Sequence, residues 1–188
     1  MKLLDGKACS QEIKEEIKAT CTTLAEQGLR KPKLIAILVG SDGASRTYVN
    51  AKVKACEYVG FESEIIRLED TCSEENLFQE IDRLNNDDTV DGFIVQLPLP
   101  KHIDEDKVTL AINPKKDVDG FHPQNLGNMV LGLDAYLPAT PNGIVELLKR
   151  NNIETSGKNC VVVGRSNIVG TPMSILMSRK AEVGNATV

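Results

Sequence analysis

Tryptophan is absent from the chain, and aromatic residues make up only 4% of it. Stacking platforms for bases need such rings, and binding to a phosphate backbone calls for an excess of cations. Here Lys and Arg number 22 against 27 Asp and Glu, a formal net charge of -5. Nucleic acid is therefore a poor partner. No apolar run approaches the roughly 20 residues that span a bilayer, so no membrane partner is expected. The opening "MKLLDGKACSQEIKEE" turns charged too soon for a signal peptide. The two histidines, His102 and His122, lie in loop-like sequence away from any Cys, which argues against a metal site. The five cysteines, Cys9, Cys21, Cys56, Cys72 and Cys160, are odd in number and form no C-x-x-C pair. They read as reduced thiols packing as small apolar groups in a cytoplasmic protein.

What is present is a chain of 188 residues, 41% hydrophobic and 26% charged, the balance of a globular protein of one large domain or two small ones. Ile13, Ile17, Leu24 and Ala25 recur at helical spacing, with Ser10 as the expected N-cap and Gly28 as the stop. "KLIAILVG" is a continuous apolar run and reads as a buried strand. Ser41 or Asp42 then caps a helix that ends at Gly60. "FESEIIRL" is a second strand, and a helix from about Ser73 puts Leu77, Ile81 and Leu84 on one face. "GFIVQL" is a third strand, stopped by Pro98 and Pro100; a short helical pattern in "DEDKVTLAI" leads into the loop "NPKKDVDG". Alternation of helix and strand implies parallel pairing and an α/β layer architecture. "LPATPNG" marks a boundary, with Thr140 as N-cap and Pro141 at the first helical position. The expected domains are therefore 1–138 and 139–188.

In the second of these, "VVVGRSNIVGTP" places Gly164 directly after a buried strand and Gly170 where the next helix begins. Dinucleotide folds bring a pyrophosphate to backbone N–H groups and a helix N-terminus at this point. The spacing is neither G-x-G-x-x-G nor a P-loop, and a β–α turn that binds nothing needs the same glycines. Arg165 and Ser166 favour the binding reading: a guanidinium and a hydroxyl beside the ribose suit an extra phosphate, hence NADP before NAD. "GNATV" reads as the opening of a second strand. A nucleotide-binding sheet needs several more, so the chain is expected to be a fragment of a longer one.

The helix "SRTYVNAKVKACEYVG" carries Tyr48 and Lys52 four apart, on one face. This is the acid/base spacing of short-chain dehydrogenases, but those place the glycine turn before the pair, and here the pair comes first. Equally, Tyr48 can pack its ring while Lys52 snorkels to water. "DGFIVQLPLP" sets Gln96 at the C-terminal end of a buried strand, the edge where parallel sheets build their sites. "KKDVDG" offers Asp119 in a loop that ends on Gly. A calcium loop begun at Asp117 would need Gly at its sixth place and Glu at its twelfth, and His122 and Asn128 stand there instead.

Five segments taken in order, "SRTYVNAKVKA", "DGFIVQLPLP", "NPKKDVDGFHPQNLG", "PATPNGIVELL" and "VVVGRSNIVGTPMS", closely resemble the bifunctional methylenetetrahydrofolate dehydrogenase/methenyltetrahydrofolate cyclohydrolase family. The resemblance implies an N-terminal three-layer α/β folate-binding domain followed by the start of a Rossmann-type nucleotide-binding domain. It implies oxidation of 5,10-methylenetetrahydrofolate with NADP, hydrolysis of the methenyl product to 10-formyltetrahydrofolate, and a homodimer at full length. It assigns Lys52 to acid/base work, Tyr48 to the folate ring, Gln96 to a hydrogen bond with Lys52, Asp119 to the pterin and Ser45 to the substrate side of the same helix. Gly164, Arg165, Ser166 and Gly170 fall to the cofactor, and no residue to a metal. A non-catalytic folate- or nucleotide-binding remnant is the remaining alternative.

Overall fold

The computed structural model describes residues 3–188, which form two compact units: Gln11–Asp117, and Val118–Val188 with the residues up to Ser10. Helix α1, Gly6–Glu26, runs from one unit into the other. It starts earlier than the spacing of its apolar residues predicts. Asp5, rather than Ser10, is the cap, because its Oδ1 accepts from Lys7 N at 2.9 Å and from Ala8 N at 3.0 Å. Two of the orphan N–H groups of the first turn are thereby satisfied.

The unit Gln11–Asp117 is built on a parallel sheet of order β2-β1-β3, with β1 Lys33–Val39, β2 Glu62–Leu68 and β3 Gly92–Val95. The central strand β1 is buried from Ile35 to Val39, whereas the edge strand β2 alternates. This is why β1 reads as an unbroken apolar run and β2 does not. Ile35, Ile37 and Val39 share one face with Phe93 and Val95. Helix α3, Glu74–Asn85, closes that face with Leu77, Ile81 and Leu84, and α4, Glu105–Ala111, adds Val108. Leu77, Leu84 and Phe93 are fully buried; each contributes about 1.5–3 kcal/mol through burial. Ala36, Leu38 and Ile94 are buried outside this cluster, as strand alternation requires. Helix α2, Gly43–Val59, packs against β1 and β2 and buries Val49, Cys56 and Val59, which completes three layers.

Both ends of α2 are fixed locally. Asp42 is the N-cap, and Gly60 adopts φ 93° as a left-handed C-cap, its N–H donating to Cys56 O. Only glycine takes that conformation without cost. Ser73 and Asp104 cap α3 and α4 in the same way as Asp42 caps α2.

The other unit contains α5 Pro123–Leu131, α6 Ala139–Arg150 and α7 Gly170–Ser178 around a cluster of Met129, Met173, Leu176, Met177 and Val183. Helix α5 lies where the sequence shows no clear apolar period. His122 is its N-cap, with Nδ1 accepting from Gln124 N at 3.1 Å, so it is a structural cap and not a solvated loop residue. Helix α6 begins one residue before Thr140, after Pro138, and Thr140 makes no cap bond. The stretch expected as a strand before Gly164 is extended but paired through a single parallel bridge, Asn159 to Thr187. Cys160 N donates to Thr187 O at 2.8 Å and Thr187 N to Lys158 O at 2.9 Å. One rung is too little pairing for a ladder, and Val161 and Val163 remain 87% and 98% exposed.

Candidate active site

Helix α2 presents Ser45, Tyr48 and Lys52 along one face, three and four residues apart. Their environments differ sharply. Ser45 is buried, Lys52 is partly buried and Tyr48 is 63% exposed. Asp42 anchors the start of this face, since its Oδ1 accepts from Ser45 N at 2.7 Å. Hydrogen bonds from the Ser45 backbone, the Ser45 hydroxyl and the Ala44 backbone hold the Asp42 carboxyl below the usual carboxylate range.

Gln96 stands one residue beyond β3 and prolongs its pairing with β1, donating its N–H to Ile37 O at 2.9 Å. Its side-chain Nε2 donates to Leu97 O at 2.7 Å, which fixes which way the amide points. Gln96 Oε1 then accepts from Lys52 Nζ at 3.4 Å. The structure thus joins two of the predicted residues, 44 positions apart, at the C-terminal edge of the sheet. The sequence pointed to the edge. It gave no sign that the Leu97 carbonyl would orient the amide.

Asp119 belongs to the other unit, where it is partly buried. The next residue, Gly120, has φ 71°, and a Cβ there would stand 2.7 Å from both Leu137 C and Tyr136 O. That approach presses the Asp119 loop against the backbone leading into α6. Glycine is required here on two counts, backbone conformation and space.

The glycine turn is shaped by a still closer approach. A Cβ on Gly170 would lie 2.3 Å from Gly164 C, so the start of α7 rests directly on the end of the extended segment. Gly164 and Arg165 are exposed. Ser166 Oγ accepts from Val169 N at 3.1 Å and Gly170 N at 3.4 Å. This occupies the lone pairs of the hydroxyl and leaves its O–H as a donor. The turn therefore offers an exposed guanidinium, a hydroxyl donor and backbone without side chains, a set that fits phosphate oxygens. A groove of about 510 Å³ between Cys160–Val162 and Ser174, Ile175 and Ser178 includes none of these residues.

Among the described residues no cluster of His, Cys, Asp or Glu is placed to hold a metal ion, and no helix is long and apolar enough to cross a membrane. Fold and site define an α/β protein with a lysine–amide pair at the C-terminal edge of a parallel sheet, followed by a dinucleotide-type glycine turn. Residues 4–119 match the model of the tetrahydrofolate dehydrogenase/cyclohydrolase catalytic domain, and residues 138–188 that of the NAD(P)-binding domain of the same enzymes. The chain belongs to the tetrahydrofolate dehydrogenase/cyclohydrolase family.

The bifunctional protein FolD of Cytophaga hutchinsonii is 61% identical over 188 residues, covering 100% of this chain and 65% of the relative. The crystal structure of the bifunctional FolD enzyme from Campylobacter jejuni is 45% identical, with a TM-score of 0.94, over 100% of this chain and 66% of that one. The FolD dehydrogenase-cyclohydrolase of Trypanosoma brucei, solved with NADP and an inhibitor, is 34% identical, with a TM-score of 0.91, over 98% of this chain and 62% of that one. The chain thus spans somewhat less than two thirds of the length of these relatives.

Proposed function

We propose that this chain carries the catalytic residues of an enzyme that oxidises 5,10-methylenetetrahydrofolate with NADP and hydrolyses the resulting methenyl cation to 10-formyltetrahydrofolate. The observation that supports this most directly is the bond from Lys52 to a Gln96 amide oriented by Leu97 O, inside the segment that matches the catalytic domain. We assign residues 1–138 to folate binding and 139–188 to the first part of the nucleotide domain, with a cytoplasmic homodimer as the state of the longer protein.

The two steps ask different things of the protein. Oxidation removes hydride from a carbon flanked by two nitrogens and needs no base. The task is orientation, worth about 7–11 kcal/mol of barrier when complete. Tyr48, exposed beside Lys52 on α2, offers a ring for the folate to lie against. Asp119 accepts two parallel N–H bonds from the pterin, as a carboxylate can. NADP, when bound, supplies the hydride acceptor; Gly164, Arg165, Ser166 and Gly170 are the residues that would hold it.

Hydrolysis needs proton traffic, since water adds to the cation and a C–N bond then breaks. Lys52 accepts a proton from the attacking water as the neutral amine and returns it to the departing nitrogen as the ammonium, while the second proton of that water passes to solvent as the formyl carbonyl forms. Gln96 suits this cycle because its Nε2 is committed to Leu97 O and only its carbonyl oxygen faces Lys52. That oxygen accepts an N–H from either protonation state, so the amide orients the amine without fixing its charge. A carboxylate in its place would hold the ammonium form.

The test follows loss of methenyltetrahydrofolate absorbance for hydrolysis, and formation of NADPH for oxidation, with the chain at full family length. Both signals are expected, with hydrolysis dependent on Lys52. A protein that binds folate but gives neither signal would instead be a non-catalytic binding remnant.

A further inference from the structure

The Gln96 amide is held at both ends, its oxygen by Lys52 Nζ and its nitrogen by the Leu97 carbonyl. The second bond is only as well aimed as that carbonyl. The next backbone donor after Leu97 is Leu99 N, because Pro98 between them has no N–H. From the Leu97 carbonyl to the Leu99 N–H the peptide links are planar, and the Pro98 ring locks φ. The ψ of Pro98 is therefore the single free backbone rotation that separates the two. Whatever holds Leu99 N also restrains the direction of Leu97 O.

That hold comes from Glu105, whose Oε1 accepts from Leu99 N at 2.9 Å. Glu105 is the first residue of α4, six positions further along the chain, and it is exposed. The helix beneath it is firmly set. Asp104 Oδ1 caps it, accepting from Asp106 N at 3.0 Å and from Lys107 N at 3.2 Å, and Val108 is buried one turn on. Lys107 Nζ pairs with Glu74 of α3 at 3.2 Å. Between Leu99 and Glu105, Ile103 N donates to Pro100 O at 2.9 Å, and the Ile103 side chain is buried in the core cluster of the sheet. All of these residues belong to the unit Gln11–Asp117, as do Lys52 and Gln96.

We propose that Glu105 is a positioning residue for the Lys52–Gln96 pair: by holding Leu99 N it restrains the one rotation that aims Leu97 O, and so keeps the Gln96 oxygen turned toward the amine. This rests on the reading in which that pair serves the hydrolysis. An acid in the first turn also suits the helix dipole. A residue present for that alone would steady α4 without touching the rate. Asp106 carries the same charge in the same turn and supplies the comparison.

The experiment measures kcat and KM for hydrolysis of methenyltetrahydrofolate, with the chain at full family length. It compares the wild type with Glu105→Ala, Glu105→Gln, Asp106→Ala, Gln96→Ala and the double variant of Glu105→Ala with Gln96→Ala. Glu105→Ala is expected to lower kcat about tenfold at nearly unchanged KM, inside the roughly hundredfold that a misplacement of about 1 Å can cost. Glu105→Gln, whose amide oxygen can accept the same N–H, should restore most of the rate. Asp106→Ala should turn over as the wild type does. Once Gln96 is Ala, removing Glu105 should change nothing further, the sign that both act on one contact. Should Glu105→Ala fold poorly, Glu105→Ser, polar but too short to reach Leu99 N, gives the same readout. An unchanged kcat in Glu105→Ala, no recovery in Glu105→Gln, an equal loss in Asp106→Ala, or additive losses in the double variant each overturn the proposal while the reading of the pair stands. A wild type that hydrolyses nothing, or a Gln96→Ala variant as fast as the wild type, overturns that reading and the proposal with it.

Discussion

Lys52 Nζ meets Gln96 through the amide oxygen of Gln96, at 3.4 Å, because the amide nitrogen is already held 2.7 Å from Leu97 O. The contact is long for a hydrogen bond. In the role proposed for it, the bond is expected to tighten once substrate is present.

The first prediction follows from the role given to the amine. Lys52→Ala should abolish hydrolysis of methenyltetrahydrofolate while folate still binds. Hydrolysis near the wild-type rate in a stopped-flow absorbance assay would show that the proton traffic runs elsewhere.

Gln96→Glu tests the charge argument separately. The carboxylate is nearly the same shape but holds Lys52 as the ammonium, so hydrolysis should slow at neutral pH and recover as pH rises. Gln96→Ala removes the amide oxygen without adding a charge and should show no such recovery. Identical pH profiles for the two variants would refute the argument.

Asp119→Ala should weaken tetrahydrofolate binding by about 1–3 kcal/mol, the loss of a charged hydrogen-bond partner. Calorimetric titration gives the number directly. Unchanged affinity would remove Asp119 from the site.

Gly120→Ala places a methyl group 2.7 Å from the Leu137 carbonyl carbon at φ 71°. The backbone there must shift, at a cost of about 1–3 kcal/mol. A lower denaturation midpoint, together with weaker folate binding, is expected. A midpoint equal to that of the wild type would mean that the loop yields freely.

The last prediction concerns acid. Arg30 forks onto Asp91, with contacts of 2.6 and 2.8 Å, and Lys33 N donates to the same carboxylate at 2.8 Å. The Arg30 guanidinium holds the Asp91 carboxyl below its usual range. A depressed folded-state value means that the stabilisation is complete above the unfolded value, about pH 3.9, and is lost as pH falls through the folded one. Asp91→Asn should therefore lower stability at neutral pH and flatten the acid side of the stability curve. Both partners are about half exposed, so the effect should shrink in salt. An unchanged acid slope would contradict it.

Much of this was legible in residue order. The unbroken apolar run of β1, the Ser73 and Asp42 caps and the Gly60 stop are local signals, and local chemistry decided them. So did the shared face of Ser45, Tyr48 and Lys52, which needs only helical spacing. The start of α1 departs from its apolar period because Asp5, which lies outside that period, satisfies two backbone donors. Helix α5 has helix punctuation in Pro123 at its start and Gly132 at its left-handed end, but Gly127 in its middle blurs the period. The pairing of Lys52 with Gln96 was expected only through the family likeness. Bringing them together takes the β1–β3 register, a long-range property that no window of sequence contains.

The short strand β3 has the Arg30–Asp91 ion pair just before it and the Gln96 amide that accepts from Lys52 just after it. Five residues of extended chain put about 16 Å between their backbones, beyond the reach of an exposed charge at physiological ionic strength. The strand acts as an insulator. Substitutions at the Asp91 end and at the Gln96 end should therefore combine without interference.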